Sequence, residues 1–182
     1  MRQSLKYILQ FIAAYLIMWL ASVLSIGFND LMLPISFQSM TAILLPLVFD
    51  KRIGALAVLA NLISGALGLP VFAEGSGGYI YFLANSGGYL VGFLVAAVLA
   101  MPLKQFIKGR MSFLIAILIF IGLQIAITLC GLSWLIINDV DIVYGRDVSP
   151  YMPGLIIKSL IGASIVLAVK HFPDFRKPAD EI

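Results

Sequence analysis

A single lysine, Lys158, lies inside an apolar segment of roughly residues 153–171. A charge near mid-bilayer costs about 2.5–3.5 kcal/mol on insertion scales, so an ammonium there calls for a partner. Its neighbours on one helical face, Gly154 and Gly162, turn it toward other helices and away from lipid. No acid lies within the apolar segments; the nearest are Glu74, Asp139, Asp141 and Asp147 in the connections. Two readings stand. Lys158 pairs with one of these acids or reaches external water, or it meets an anionic group on a ligand entering from outside.

Other polar groups share such ambiguity. Asn85 and Tyr89 are four residues apart, placing an amide beside a phenol on one helix face. Gln38 opens another apolar segment. Each could line a polar pocket or bond between helices. The connection Ala73-Glu74-Gly-Ser-Gly-Gly-Tyr79 is glycine-rich but lacks the Gly-Lys-Ser/Thr ending of a phosphate loop. It caps a cavity or forms a plain hairpin. Trp134 stacks on a ligand or belongs to an interfacial aromatic belt.

Absences narrow the chemistry. His171 is the only histidine and Cys130 the only cysteine, which leaves no His-based metal site, triad or internal disulfide. No carboxylate within the apolar segments offers a proton relay, and no nucleotide-binding motif is present. The pattern argues against an enzyme, weakens a proton-coupled carrier and excludes an autonomous ATP-driven pump. A binder energised by partners remains.

The elements that must position these residues are membrane helices. Of 182 residues, 62% are hydrophobic and 12% charged, with mean hydropathy +1.06. A soluble domain cannot bury that much apolar surface, whereas a bilayer can cover it. The pattern predicts one all-α integral membrane domain over 1–182, with helices at roughly 6–27, 36–50, 53–69, 79–101, 111–137 and 153–171. The second is short and carries Pro46, so it tilts, bends or sits partly inside the bundle. The first apolar run, Tyr7–Ile26, has no small-residue cleavage site after it and reads as a span.

Charge fixes the expected orientation. With both termini cytoplasmic, six crossings place Arg2, Lys6, Lys51, Arg52, Lys104, Lys108, Arg110, Lys170, Arg176 and Lys177 inside. Only Arg146 falls in an external loop, with Asp30, Glu74, Asp139, Asp141 and Asp147. That is the positive-inside asymmetry. The net charge of +3 reflects these flanks and not a nucleic-acid surface. Small residues mark packing faces: Gly88, Gly92, Ala96 and Ala100 in the fourth helix, and Gly54, Asn61, Gly65 and Gly68 in the third.

Several blocks closely resemble the BioY family, biotin-binding S components of energy-coupling factor (ECF) transporters. They are Leu33-Pro-Ile-Ser-Phe-Gln-Ser39, Ile53-Gly-Ala-Leu-Ala-Val-Leu-Ala60, Gly65-Ala-Leu-Gly-Leu-Pro-Val-Phe72, Glu74-Gly-Ser-Gly-Gly78, Gly87-Gly-Tyr-Leu-Val-Gly-Phe93 and Gly131-Leu-Ser-Trp-Leu135. The likeness covers about residues 33–165. It implies a six-helix bundle in a prokaryotic cytoplasmic membrane, with no cofactor and with biotin as transported ligand. It also implies docking to a membrane coupling subunit and two cytoplasmic ATPases, whose hydrolysis drives reorientation and inward release.

In that scheme the valerate carboxylate meets Lys158. The bicyclic head lies among helices four to six under the glycine-rich loop containing Glu74. Asn85, Tyr89 and Gln38 bond its polar edge, and Trp134 or Tyr79 supplies a flat wall. Three positions depart from the family pattern. The sixth helix opens Pro153-Gly-Leu155-Ile-Ile-Lys158, where the family has an acid at the position of Leu155. Ala84-Asn85-Ser86 replaces Gly-Pro-Thr before Gly-Gly-Tyr. The Ala-xxx-Ala docking patch of the first helix has no strict copy; Ala14, Met18, Ala21 and Ser25 share a face in its place. Alternatives are an S component for another small carboxylate-bearing vitamin, and a ligand-free structural membrane protein.

Overall fold

The computed structural model describes residues 2–23, 25–28, 33–108, 111–140 and 151–170. Helix α1 (Arg2–Val23) leads into an antiparallel hairpin of β1 (Ser25–Phe28) and β2 (Leu33–Ser36), with Ser25 opposite Ser36 and Phe28 opposite Leu33. Then come α2 (Gln38–Val48), α3 (Lys51–Ala66), the single turn α4 (Ile80–Leu83), α5 (Gly87–Leu103), α6 (Ser112–Ile137) and α7 (Tyr151–Lys170). Among the described residues, four helices are long and apolar enough to cross a membrane: Gln3–Val23, Gly87–Phe106, Ser112–Ile137 and Pro153–Lys170.

Three expectations are corrected. The first helix stops at Val23, and Ile26 and Gly27 belong to a strand. The expected fourth helix is broken at Ala84–Ser86, leaving one turn before it and the long α5 after it. The third ends at Ala66, and Gly68 adopts φ +101°, outside helical space.

Helix α2 is the centre of the bundle. It packs against α1, α3, α5, α6 and α7, and ten of its eleven residues, Gln38–Leu47, are buried. From Ala42 onward it is apolar on every side, which suits a helix in an interior. Glycines admit its neighbours: a Cβ on Gly54 would strike the backbone of Leu45 and Pro46. Asp50 ends the tight α2–α3 turn by accepting a 3.0 Å bond from the backbone N–H of Arg52, an N-terminal cap for α3. Elsewhere Gly92 lies against Ile127 of α6, and Gly162 of α7 against the buried ring of Phe120.

The outer surface is apolar: Leu9, Leu20, Leu99, Leu118, Ile125 and Ile156 are all exposed. That is the surface a lipid-facing bundle shows, and the chain is a multi-pass membrane protein. Basic side chains gather at one end. Lys104 Nζ donates to the Phe49 carbonyl, and Lys170 Nζ donates to the Ile107 carbonyl and to Ser112 Oγ, each at 3.1 Å. Lys51 and Arg52 open α3 at that end, near Tyr7 of α1.

Candidate functional site

At the opposite end the start of α2 is recessed. Lys158 Nζ donates to Ser39 Oγ at 2.9 Å, which sets α7 and α2 in register. Seven residues of α7 precede Lys158, so at 1.5 Å per residue α7 rises about 10 Å above Ser39. On the other flank Gly54 meets Leu45. Seven residues onward along α3 is Asn61, and seven residues back along antiparallel α2 is Gln38. Five further residues carry α3 to Ala66, about 7.5 Å higher. The N-terminal turn of α2 is thus a floor between taller walls.

Lys158 is half-buried and sits on this floor. Its partner, Ser39, is a neutral hydroxyl, and among the described residues no carboxylate pairs with it. Asp141 and Asp147 lie outside the described residues, as do Asp30 and Arg146. Gln38 is buried beside Ser39. Sequence reasoning found Lys158 and Gln38 but missed Ser39, which carried no signal beyond following Gln38.

A second group assembles at the tops of α5 and α6. The indole N–H of Trp134 donates to the Ala84 carbonyl at 3.1 Å, holding the break before α5. Gly88 lies directly under the Trp134 side chain and Gly131 under the Tyr89 ring, so two glycines let the two aromatics interlock. Asn85 is exposed in the break and precedes α5, so the expected helical stacking of Asn85 on Tyr89 is corrected: only Tyr89 is on the helix.

The glycine-rich connection is a folded cap and not a loose hairpin. Phe72 is fully buried, its ring over Gly65, stacked on Tyr81 at 5.1 Å and edge-on to Phe82 at 5.6 Å. Backbone bonds from Phe72 N–H to Ser76 O (3.0 Å) and Gly78 N–H to Gly65 O (2.7 Å) tie it down. Gly75 and Gly78 turn the chain with φ of +71° and +102°, which L side chains rarely adopt. Tyr79 is exposed at its edge. Glu74 lies in its 3₁₀ turn, with its side chain outside the described residues.

The docking face expected on α1 is turned inward. Ala14, Met18 and Ala21 are buried in the chain's own core, and Ser25 has left the helix for β1, its side chain outside the described residues. Small residues at helical spacing bring α1 against α2 and α3, where Tyr15 Oη and Ser64 Oγ bond at 2.8 Å.

A family model described as "BioY family" matches residues 1–174. The chain is 30% identical over 142 residues to a probable biotin transporter BioY of Rickettsia prowazekii (strain Madrid E), covering 75% of this chain and 70% of that protein. It is 28% identical over 137 residues to the biotin transporter BioY of Thermotoga maritima (75% of this chain, 80% of that one). A crystal structure of the S component for biotin from an ECF-type ABC transporter superposes with TM-score 0.80 at 24% identity, covering 93% of each chain. This chain has that fold.

Proposed function

The chain belongs to the BioY family, and on that footing we propose that it is a biotin-capturing S component, a transport protein and not an enzyme. The whole of 1–182 acts as one substrate-binding unit in a prokaryotic cytoplasmic membrane, with both termini inside. Biotin is taken from outside. A transmembrane coupling subunit and two cytoplasmic ATPases supply the energy.

One observation carries the reading: an ammonium on a recessed, buried floor, held by a hydroxyl and by no acid among the described residues. Bonding to Ser39 orients Lys158 without neutralising it. A hydroxyl that accepts from Lys158 still has its own proton to give. Ser39 and Lys158 therefore offer two donors to one carboxylate, the valerate end of biotin, in a charge-assisted contact. Gln38 adds an amide to the floor. Trp134, Tyr89 and Asn85, with Tyr79 and the cap that contains Glu74, form an aromatic rim around the mouth, as small-ligand pockets usually require.

Isothermal titration of biotin into the purified full chain tests this. Saturable 1:1 binding is expected, with lipoate, thiamine and riboflavin failing to compete. Leu155, half-buried one turn before Lys158 where the family has an acid, favours another carboxylate-bearing vitamin as the second reading. Tighter binding of such a vitamin than of biotin would establish it and overturn the first.

A further inference from the structure

Asn61 is a fully enclosed amide near the floor. It is 0% exposed, and neither its Oδ1 nor its Nδ2 has a hydrogen-bond partner among the described residues. A buried amide with both ends unpaired is less stable than hydrocarbon of the same size. A leucine would suit this apolar helix better unless something beyond the described residues completes the amide. Its main chain is already engaged, since the Asn61 carbonyl accepts from Ser64 Oγ at 3.0 Å, so only the side chain is left over.

Position indicates what the partner is. Asn61 is level with Gln38, next to the Ser39 hydroxyl that holds Lys158. Helix α2 stands between α3 and α7 and packs on both. A small elongated molecule lying across the start of α2 would reach Lys158 at one end and Asn61 at the other. One turn above Asn61, on the same face, Gly65 carries the Phe72 ring, so the cap closes over this end.

Chemistry narrows it further. A primary amide presents an acceptor and a donor side by side. Its two-point complement is a group with N–H and C=O on one edge, as in a cyclic urea. Resting on the biotin reading above, we propose that Asn61 determines specificity by pairing with the ureido edge of the ligand's ring. Asn61 Oδ1 accepts from a ureido N–H, and Nδ2 donates to the ureido carbonyl.

The test uses the full chain in detergent with three probes: biotin, biotin methylated on its ureido nitrogens, and biotin methyl ester. Asn61→Leu is expected to weaken biotin binding about 10- to 100-fold, as for loss of two buried hydrogen bonds. It should abolish the wild type's preference for biotin over the ureido-methylated probe and leave the methyl-ester penalty unchanged. The ligand-free variant should melt at or above the wild-type temperature, because an uncompensated amide has been removed. A merely structural asparagine would lower that temperature instead. Asn61→Ala gives the same readouts should leucine not fit. Biotin binding by either variant as tight as wild type, or a surviving ureido preference, overturns the proposal and leaves the biotin reading standing. A wild-type chain that does not bind biotin overturns both.

Discussion

Replacing Lys158 by methionine keeps the length of the stem and removes only the charge. In the ligand-free chain little is lost, because the ammonium's partner is the single hydroxyl of Ser39 at 2.9 Å. In the complex the ligand carboxylate would lose a charge-assisted bond, worth about 1.5–3 kcal/mol. It would also stay partly desolvated without a counter-charge. Complete burial of such a pair makes breaking it cost about 3–5 kcal/mol. Lys158 is half-buried, so about 2–4 kcal/mol is the fitting range, or roughly a 30- to 1,000-fold rise in Kd. The assay is paired titration of biotin and biotin methyl ester into wild type and Lys158→Met. Wild type should prefer the acid strongly, and the variant should treat the two alike. Biotin affinity within threefold of wild type in Lys158→Met would show that the carboxylate lies elsewhere.

The remaining predictions follow from packing, orientation and the missing acid. Gly54→Ala drives a methyl into the backbone of Leu45 and Pro46, an overpacking cost of about 1–3 kcal/mol that a thermal melt should show as a drop of several degrees. Leu155→Asp sets a carboxylate one turn from Lys158, where it would compete with the ligand's carboxylate for the ammonium, so biotin binding should weaken; titration showing no change would place position 155 away from the ligand. Arg52→Cys in a Cys130→Ser background puts one thiol on the exposed start of α3. It should react with a membrane-impermeant maleimide in inverted vesicles and not in intact cells; labelling in intact cells would reverse the orientation.

The helix content, and the order and approximate ends of five helices, were legible because lipid imposes long apolar runs, and basic flanks mark their ends. The hairpin was not. Ser25–Phe28 continues the apolar run of α1, and hydropathy alone does not separate a strand from one more helical turn. The break at Ala84–Ser86 did leave a trace in Asn85-Ser86-Gly87-Gly88, a cluster of turn-favouring residues inside an apolar stretch. Lys158 stood out because its charge is costly wherever the fold puts it. Ser39 and Asn61 did not, because a serine or asparagine in a membrane helix is ordinarily interhelical glue. Only the register of α2 against α3 and α7 brings them to one level. The α1 face shows the same limit: Ala14 and Met18 have the spacing of a contact surface, and spacing does not say whether the contact lies within the chain or beyond it.

The placement of α2 also has a topological consequence. Below its first turn the helix is sheathed on every side, with Leu45 and Leu47 each only 1% exposed. It acts as a stopper between the recess and the basic end. No rotamer change can open a wet channel through such a plug, because interiors packed this tightly shift between discrete arrangements and do not part smoothly. A ligand held beside the first turn of α2 would have no straight path along this helix to the basic end, so reaching that end would require whole elements to move.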